Sequence, residues 1–383
     1  MQVARFKHVA SQPPAIIAML AAIAVLGFLL VSRLVQRFAE QQKALARHLY
    51  AQGLNDVHAG KPNRAIEEYR AALLYDRDNF DYQLSLARAL RDTGRTSESE
   101  SYLISLWERA PQNSLVNLAL GRLAARQGQI EKAIQYYHNA MYGVWTGDPE
   151  TNRLNAGFEL IDFLLRESAR PQALAELISL STQVPHSPEL ELRLAPLFAQ
   201  AGDCERALSE YEQVLQHQHN QPDALVGSAN CAFNLARYHT AERYLQSATK
   251  LEPENPQSSQ LLDKVRLIIS SDPSFDRIPM AERDRRMRVA FEQAGKRLDT
   301  CMAQTSASTN SSAPGSVDLS SLQTEWNATK LKLARKHFDP DLVDSAMDLV
   351  SRIEQQTSVV CGPPVGIDEA LLLISQNPGG SSR

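Results

Sequence analysis

Residues 63–79 read NRAIEEYRAALLYDRDN, and residues 205–221 read ERALSEYEQVLQHQHNQ. In each segment a small residue, Ala65 or Ala207, precedes a tyrosine by four positions, which places the two on one face of a helix. Four further segments carry a small residue at the same point, and successive members lie 34, 34, 40, 34 and 34 residues apart. A recurring period of this length predicts stacked helical hairpins that bury each other's apolar faces. The aligned positions are Ala65, Ser99, Ala133, Ala173, Ala207 and Ala241.

Each unit combines a small residue on its first helix with a large residue on its second helix. The small side chains let two antiparallel helices approach closely, and a Tyr or Leu fills the volume beside them. The fourth unit departs from this pattern, with Ile161 at the small position. The small residues are Gly53, Ala87, Gly121, Ala195 and Ala229, and the large residues are Tyr69, Leu103, Tyr137, Leu177, Tyr211 and Leu245.

This pattern resembles the tetratricopeptide-repeat family over roughly residues 46–255, and the layout looks like its membrane-anchored bacterial members. The resemblance implies an all-α, right-handed α-solenoid of about six helix–turn–helix repeats, with a concave face lined by the first helices. A six-residue insertion separates the third repeat from the fourth. The repeats are expected at 46–79, 80–113, 114–147, 154–187, 188–221 and 222–255.

An uncharged stretch of twenty residues, Pro13 to Ser32, precedes the repeats. A helix of that length spans about 30 Å, which is the thickness of a hydrocarbon core. We expect a transmembrane helix over 13–33, after an N-terminal tail of residues 1–12. The alternatives are a buried core helix and a cleaved signal peptide, but no A-x-A spacing follows the apolar run. The connector, 34–45, has no helix breaker, so this helix could run into the first repeat and end near Ala59.

Two signals in the sequence disagree about the orientation of this span in the membrane. Basic residues on its C-terminal side, such as Arg33 and Arg37, place that side in the cytoplasm by the positive-inside rule. Large domains nevertheless translocate largely regardless of charge, and an even cysteine count fits export. We expect a single-pass protein of the bacterial inner membrane, with a slight preference for a periplasmic C-terminal domain.

Further helices are expected after the repeats. Capping helices should occupy 256–304, followed by a flexible Ser/Thr-rich linker at 305–317 and a helical C-terminal region at 318–383. Cys301 closes one expected helix and Cys361 follows another, so a disulfide between them is a candidate if the chain is exported. The alternative is that all four cysteines are small buried residues.

Catalytic and cofactor signatures are missing from the sequence. It contains no phosphate-binding glycine loop, nucleophile elbow, zinc-protease motif or C-x-x-C pair. His217 and His219 lie close together, but their spacing at a helix end points them apart, so no metal site is expected. We therefore expect no enzyme activity, no cofactor and no metal; an unrecognised active site within 275–383 is a remote alternative.

The charge distribution favours a protein over a nucleic acid as the binding partner. The first forty residues hold four basic residues and one acidic residue, which leaves a net charge of −7 on residues 41–383. A body that acidic is a poor nucleic-acid binder. In contrast to the acidic chain as a whole, five arginines map to groove-lining positions of the resembled fold. There they would bind an acidic or C-terminal peptide. The five are Arg88, Arg91, Arg122, Arg126 and Arg166.

Two alternatives remain open for this candidate groove. The arginines could instead pair with Asp81, Asp92 and Asp162 as solvated ion pairs. The family's Lys/Asn clamp for chaperone tails is not reproduced, so that partner is not implied. Trp145, in the inserted loop, is either folded back over a helix end or exposed as a partner contact.

The sequence favours a membrane-tethered scaffold or adaptor that binds other proteins or peptides. Envelope assembly, secretion and quality control are the processes that its resembled relatives suggest. The alternative is a regulatory sensor whose C-terminal tail docks in the groove and is displaced by a partner. The sequence does not set the oligomeric state.

Overall fold

The computed structural model describes residues 13–185, 187–274, 278–307, 319–334 and 340–377. These ranges are helical and contain no β-strand, so the predicted all-α repeat fold is confirmed. The chain divides into two compact units, Met1–Phe163 and Leu164–Arg383.

Helices of the first unit follow the predicted hairpin order. The second half of α1 packs on α2, α3 packs on α4, and α5 packs on α6. The bounds are α1 Pro13–His58, α2 Pro62–Tyr75, α3 Phe80–Asp92, α4 Thr96–Arg109, α5 Ser114–Arg126, α6 Ile130–Tyr142 and α7 Pro149–Arg166, the last of which ends in the second unit.

Helices of the second unit comprise the remaining repeats and the C-terminal region. The bounds are α8 Arg170–Ser181, α9 Pro188–Ala201, α10 Cys204–His217, α11 Pro222–Asn234, α12 Tyr238–Leu251, α13 Pro256–Ser271, α14 Met280–Ala307, α15 Leu319–Leu333, α16 Pro340–Cys361 and α17 Ile367–Gln376.

Side-chain caps set where several of these helices begin. The amide oxygens of Asn79 and Asn113 accept hydrogen bonds from the backbone N–H three residues on, at 3.2 and 3.1 Å. Ser187 caps α9 in the same way. Each cap satisfies an N–H that has no partner within its helix, so the first helices of these hairpins start at fixed positions.

The first repeat begins inside the longest helix. α1 is continuous from Pro13 to His58, so the expected transmembrane segment and the first helix of the first repeat are one element. It ends one residue before the predicted end near Ala59. α1 is the one described helix long and apolar enough to cross a membrane. Ala46 and Gly53 lie on the side of α1 that packs against α2.

The C-terminal helices share one hydrophobic core with the last repeat. This core joins Ala229 and Leu245 of that repeat to Phe291 on α14, Trp326 on α15 and Leu349 on α16. The Trp326 ring stacks on Phe291 at a centroid distance of 5.4 Å and donates a 3.1 Å hydrogen bond to the Phe291 carbonyl. The region after the repeats is therefore an integral part of the second unit.

The predicted start of the linker is wrong by three residues. Residues 305–307 belong to α14, and the rest of the expected linker, residues 308–317, falls outside the described residues. Thr305 Oγ1 donates to the carbonyl of Cys301 one turn earlier, at 3.1 Å. This bond satisfies the hydroxyl within the helix, so a Ser/Thr-rich composition did not end it here.

Candidate functional site

The candidate site is an arginine cluster on the first helices of the second and third repeats. Arg88 and Arg91 lie one turn apart on α3, and Arg122 and Arg126 lie one turn apart on α5. Residues three or four positions apart share one helix face, so each helix presents a pair of guanidinium groups. The caps at Asn79 and Asn113 fix the start of both helices.

Arg91 and Arg126 meet at Asp92. The Nε and Nη2 atoms of Arg91 each lie 2.9 Å from Oδ1 of Asp92. Arg126 Nη1 donates to the backbone carbonyl of Arg91 at 2.6 Å, and its Nη2 lies 3.6 Å from Asp92 Oδ1. One carboxylate therefore balances two guanidinium groups. The Arg91 side chain is buried, whereas half of the Arg126 side chain is exposed.

Arg122 forms a bidentate pair with Glu159 of α7. Its Nε donates to Oε2 at 2.7 Å, and its Nη2 donates to Oε1 at 2.5 Å. These hydrogen bonds raise the pKa of Arg122 above its ordinary value. The two parallel bonds give this pair a fixed geometry.

Arg88 is the member of the cluster with the least charge compensation. Burial lowers the pKa of Arg88, and the neighbouring charges of Arg122 and Arg91 lower it further. Among the described residues, Arg88 Nε and Arg91 Nη1 are buried without a hydrogen-bond partner. Four guanidinium groups thus face the carboxylates of Asp92 and Glu159, which leaves an excess of two positive charges.

The structure agrees only in part with the alternative in which the cluster arginines pair with nearby aspartates. Of the three expected partners, Asp92 pairs with cluster arginines, whereas Asp81 and Asp162 form no ion pair with them in the described part of the chain. Glu159 is the partner that sequence reasoning missed. In the repeat register the fourth-repeat counterpart of Arg122 is Asp162, and Glu159 lies one turn before it on α7.

Arg166 and Trp145 are the other two residues that the sequence predicted to contact a partner. Arg166 is exposed at the end of α7 and belongs to the second unit. Trp145 is 8% exposed, so the alternative in which it projects into solvent as a partner contact is wrong, and its ring is folded into the protein. The adjacent Val144 holds this loop in place, since its carbonyl accepts from Ser114 N and its N–H donates to Gln112.

A second charged cluster lies within the C-terminal helices. Arg297 of α14 donates to Thr357 Oγ1 at 2.8 Å and to the Gly362 carbonyl at 2.9 Å. Its Nε lies 3.3 Å from Glu354, and its Nη1 lies 3.9 Å from Asp368. Two acidic groups therefore share one cation. Burial, followed by the charge of Asp368, raises the pKa of Glu354 to about 8.

A disulfide closes the same region. Cys301 and Cys361 are bonded, with Cα atoms 5.7 Å apart, and they join the C-terminal part of α14 to the end of α16. Cys204 and Cys231 are buried and free. No cluster of three or more metal-ligating side chains occurs within the described ranges, His217 and His219 included.

These features define a helical-hairpin repeat protein of the α-solenoid class. Residues 57–123 and 198–265 match the family model of the tetratricopeptide repeat. The chain therefore carries tetratricopeptide repeats over these two ranges, in agreement with the period of its sequence. No curated protein matches it at a significant level.

Several solved structures are similar to this chain. PilF of Pseudomonas aeruginosa is 17% identical, over 58% of this chain and 99% of its own, with a TM-score of 0.40. PilW, a type IV pilus biogenesis factor, is 16% identical over 57% and 98%, also with a TM-score of 0.40. The C-terminal part of a repeat protein from Cytophaga hutchinsonii is 14% identical over 62% and 93%, with a TM-score of 0.45. Likeness at these levels carries no functional conclusion.

Proposed function

We propose that this protein is a membrane-tethered scaffold that binds an extended acidic segment of a partner protein at Arg88, Arg91, Arg122 and Arg126. The observation that carries the proposal is the excess of two positive charges in this cluster, together with the two buried N–H groups that lack a partner. Partially buried cations that repel one another are stabilised by an incoming carboxylate. Tetratricopeptide repeats provide the surface on which such a segment lies.

The existing ion pairs are compatible with this role. Arg122 and Glu159 are each 36% exposed, and Arg126 is more exposed still. Pairs this accessible to water contribute little to stability, so a partner carboxylate can compete for them at small cost. Guanidinium groups bind carboxylates in a bidentate manner, which favours Asp- or Glu-rich segments and free C-termini.

The tether is α1, which we place in the bacterial inner membrane through residues 13–33. The remainder of the chain is periplasmic in this proposal. The disulfide between Cys301 and Cys361 supports that side, because disulfides persist in oxidising compartments. A scaffold in this location serves envelope assembly, secretion or quality control, and it catalyses no reaction itself.

The sensor alternative requires a C-terminal tail that leaves the repeat groove. α14–α17 instead share a hydrophobic core with the last repeat, and Lys264 of α13 pairs with Glu369 of α17 at 2.6 Å. Displacing these helices would expose Phe291, Trp326 and Leu349 to water, at a large cost in free energy. The scaffold is therefore the function that we favour.

Peptide binding tests the arginine cluster directly. The full chain in detergent micelles is titrated with a fluorescent Asp/Glu-rich peptide. A second titration uses the same peptide with Asn in place of each Asp and Gln in place of each Glu. We expect binding of the acidic peptide that weakens with salt, and a loss of about tenfold or more in Arg122→Gln/Arg126→Gln. The matched control is Arg70→Gln/Arg95→Gln, two exposed arginines that share Glu98. Equal binding by the two double variants would contradict the proposal.

Membrane attachment is tested separately. We expect the chain to remain in the membrane fraction after alkaline extraction, with an intact mass that retains residues 13–33. A mature protein that begins after residue 33 would identify a cleaved signal sequence instead. Labelling of a cysteine introduced at Leu74, which is exposed, reports the side of the membrane when impermeant and permeant reagents are compared.

A further inference from the structure

The segment of α1 that follows the proposed membrane span keeps an apolar face uncovered. Leu34, Phe38 and Leu45 are 68%, 62% and 43% exposed. At about 100° per residue they fall within about 40° of one another around the helix axis. Ala46 and Gly53, which pack against α2, lie about a quarter turn away. The face formed by Leu34, Phe38 and Leu45 is called here the α1 seam.

Charges avoid this seam. Lys43 and Arg47 lie on the opposite side of the helix at the same angular increment, whereas Arg33 and Arg37 lie about 120° and about 80° from the centre of the seam. Outside the bilayer α1 is therefore amphipathic, with one apolar side covered by α2, one basic side in solvent, and the seam, which no described element of this chain covers. Exposed apolar area of this kind is unfavourable in water and marks an interaction surface.

The seam continues into the membrane with the spacing of a coiled coil. Going back from Leu45, the positions Gln41, Phe38, Leu34 and Val31 alternate in steps of four and three residues. The same steps lead on through Gly27, Ala24 and Leu20. Alternation of this kind keeps one seam facing a partner helix along its whole length. Small residues within the bilayer permit close approach of two helices.

We propose that the α1 seam is occupied by the α1 seam of a second copy of this chain, in a parallel pair. The proposal rests on the membrane anchoring proposed above. Two copies anchored through the same residues leave the bilayer at the same height, so their seams are parallel and in register without further adjustment. A two-fold axis along the helices pairs each seam residue with itself.

The flanking positions suit this occupant. In a parallel coiled coil, the residue that precedes Val31 or Phe38 faces a residue of the other helix whose number is five higher. Arg37 then faces Gln42 of the other copy, and Leu30 faces Val35, so no like charges meet. Gln41 is the polar residue within the seam, and its amide can donate to and accept from the other copy. A single polar position of this type fixes register.

Cysteine crosslinking in native membranes tests the pair. The native cysteines do not interfere, because Cys301 and Cys361 are bonded and the other two are buried. We expect rapid oxidation to a species of twice the chain mass for Leu34→Cys and Gln41→Cys. Glu40→Cys and Arg47→Cys, on the opposite side of α1, should give about a tenth of that yield or less. Equal yields around the helix, or an adduct of any other mass, would overturn the proposal.

Disruption of the seam provides the second measurement. Phe38→Gln/Leu45→Gln should raise the dissociation constant of the pair in lipid nanodiscs about tenfold or more. The matched control is Leu54→Gln/Val57→Gln, two exposed apolar residues on the same helix away from the seam. A wild-type chain that is monomeric in the membrane would overturn the pairing alone. A chain absent from the membrane fraction would overturn the anchoring, and the pairing with it.

Discussion

Gly53 of α1 lies directly against the ring of Tyr69 on α2. A methyl group at Gly53 would fall 2.7 Å from Cδ1 of Tyr69 and closer still to Cε1. Tyr69 is buried, so its ring has no free space into which to move. The close approach of the first two repeat helices thus depends on the absence of a side chain at Gly53, sixteen residues before the tyrosine that fills the gap.

We expect Gly53→Ala to destabilise the first hairpin by roughly 1–3 kcal/mol, as overpacking of a filled core does. Helix propensity alone would favour alanine by about 1 kcal/mol, so the sign of the change separates the two effects. Hydrogen exchange of the α1 and α2 amides measures it. The comparison variant is Gly121→Ala, whose methyl would lie 3.1 Å from Tyr137 and whose effect should be smaller.

The double variant Gly53→Ala/Tyr69→Leu should recover part of that loss. It recreates the combination of Ala87 with Leu103 found in the next repeat. The two changes are therefore expected to be non-additive, as contacting residues are. Additive losses in the double variant would mean that the two side chains do not share this volume.

Glu159→Gln should strengthen the binding of an acidic peptide. The change leaves Arg122 without its carboxylate partner and raises the excess charge of the cluster by one. We expect affinity to rise about threefold to tenfold at low salt, with the difference shrinking as salt increases. Asp162→Asn, an exposed carboxylate on the same helix that pairs with none of the cluster arginines, is the control. An unchanged affinity in Glu159→Gln would place the peptide elsewhere.

Glu354 should make the second unit less stable as pH rises. Its pKa is raised from 4.5 to about 8 in the folded chain, because it is buried beside Asp368. Between those values the folded state holds a proton that the unfolded state releases. The stability from this group is therefore complete below about pH 4.5 and is lost as pH rises through 8.

Glu354→Gln should flatten this dependence between about pH 5 and pH 8, by at most about 1.4 kcal/mol per pH unit. Urea unfolding at a series of pH values measures the slope. Glu325→Gln is the control, since the hydrogen bonds from Arg352 lower the pKa of that exposed carboxyl and its contribution is constant in this range. The same slope in wild type and Glu354→Gln would contradict a protonated Glu354.

Reduction of the disulfide should destabilise the C-terminal helices. The bond closes a loop with a sequence separation of 60 residues. Chain entropy gives such a crosslink a stabilisation of up to about 4 kcal/mol. We expect the unfolding midpoint to fall on addition of dithiothreitol, and by the same amount in Cys204→Ser/Cys231→Ser. Denatured but unreduced protein should titrate with two thiols; four would show that the bond is absent.

The repeat period was sufficient to predict the helix pairs, because each hairpin has a fixed length and a small residue at a fixed place. The capping residues Asn79 and Asn113 and the prolines that begin α9, α11 and α13 mark the helix starts equally well. The ion pair of Arg122 with Glu159 was not predictable in this way. It depends on the placement of α7, which follows the six-residue insertion and is longer than the repeat helices before it.

The sequence contains one indication that Glu354 is buried, although a glutamate is ordinarily expected at the surface. Glu354 lies four residues after Val350 and three before Thr357, both of which are buried. It therefore falls on the apolar stripe of α16, where a carboxyl group is unexpected. The partner that makes this tolerable, Arg297, lies 57 residues away in the sequence, and periodicity cannot identify a partner at that distance.

The unbroken course of α1 gives the number of residues between Phe38 and Ala46 a mechanical meaning. Adding one residue there would turn the whole first unit by about 100° about the helix axis and move it by about 1.5 Å. Removing seven would nearly restore its facing but draw it about 10 Å closer to the lipid. For a chain anchored through residues 13–33, this stretch is a spacer. Its length sets the direction, relative to the membrane, in which the arginine cluster faces.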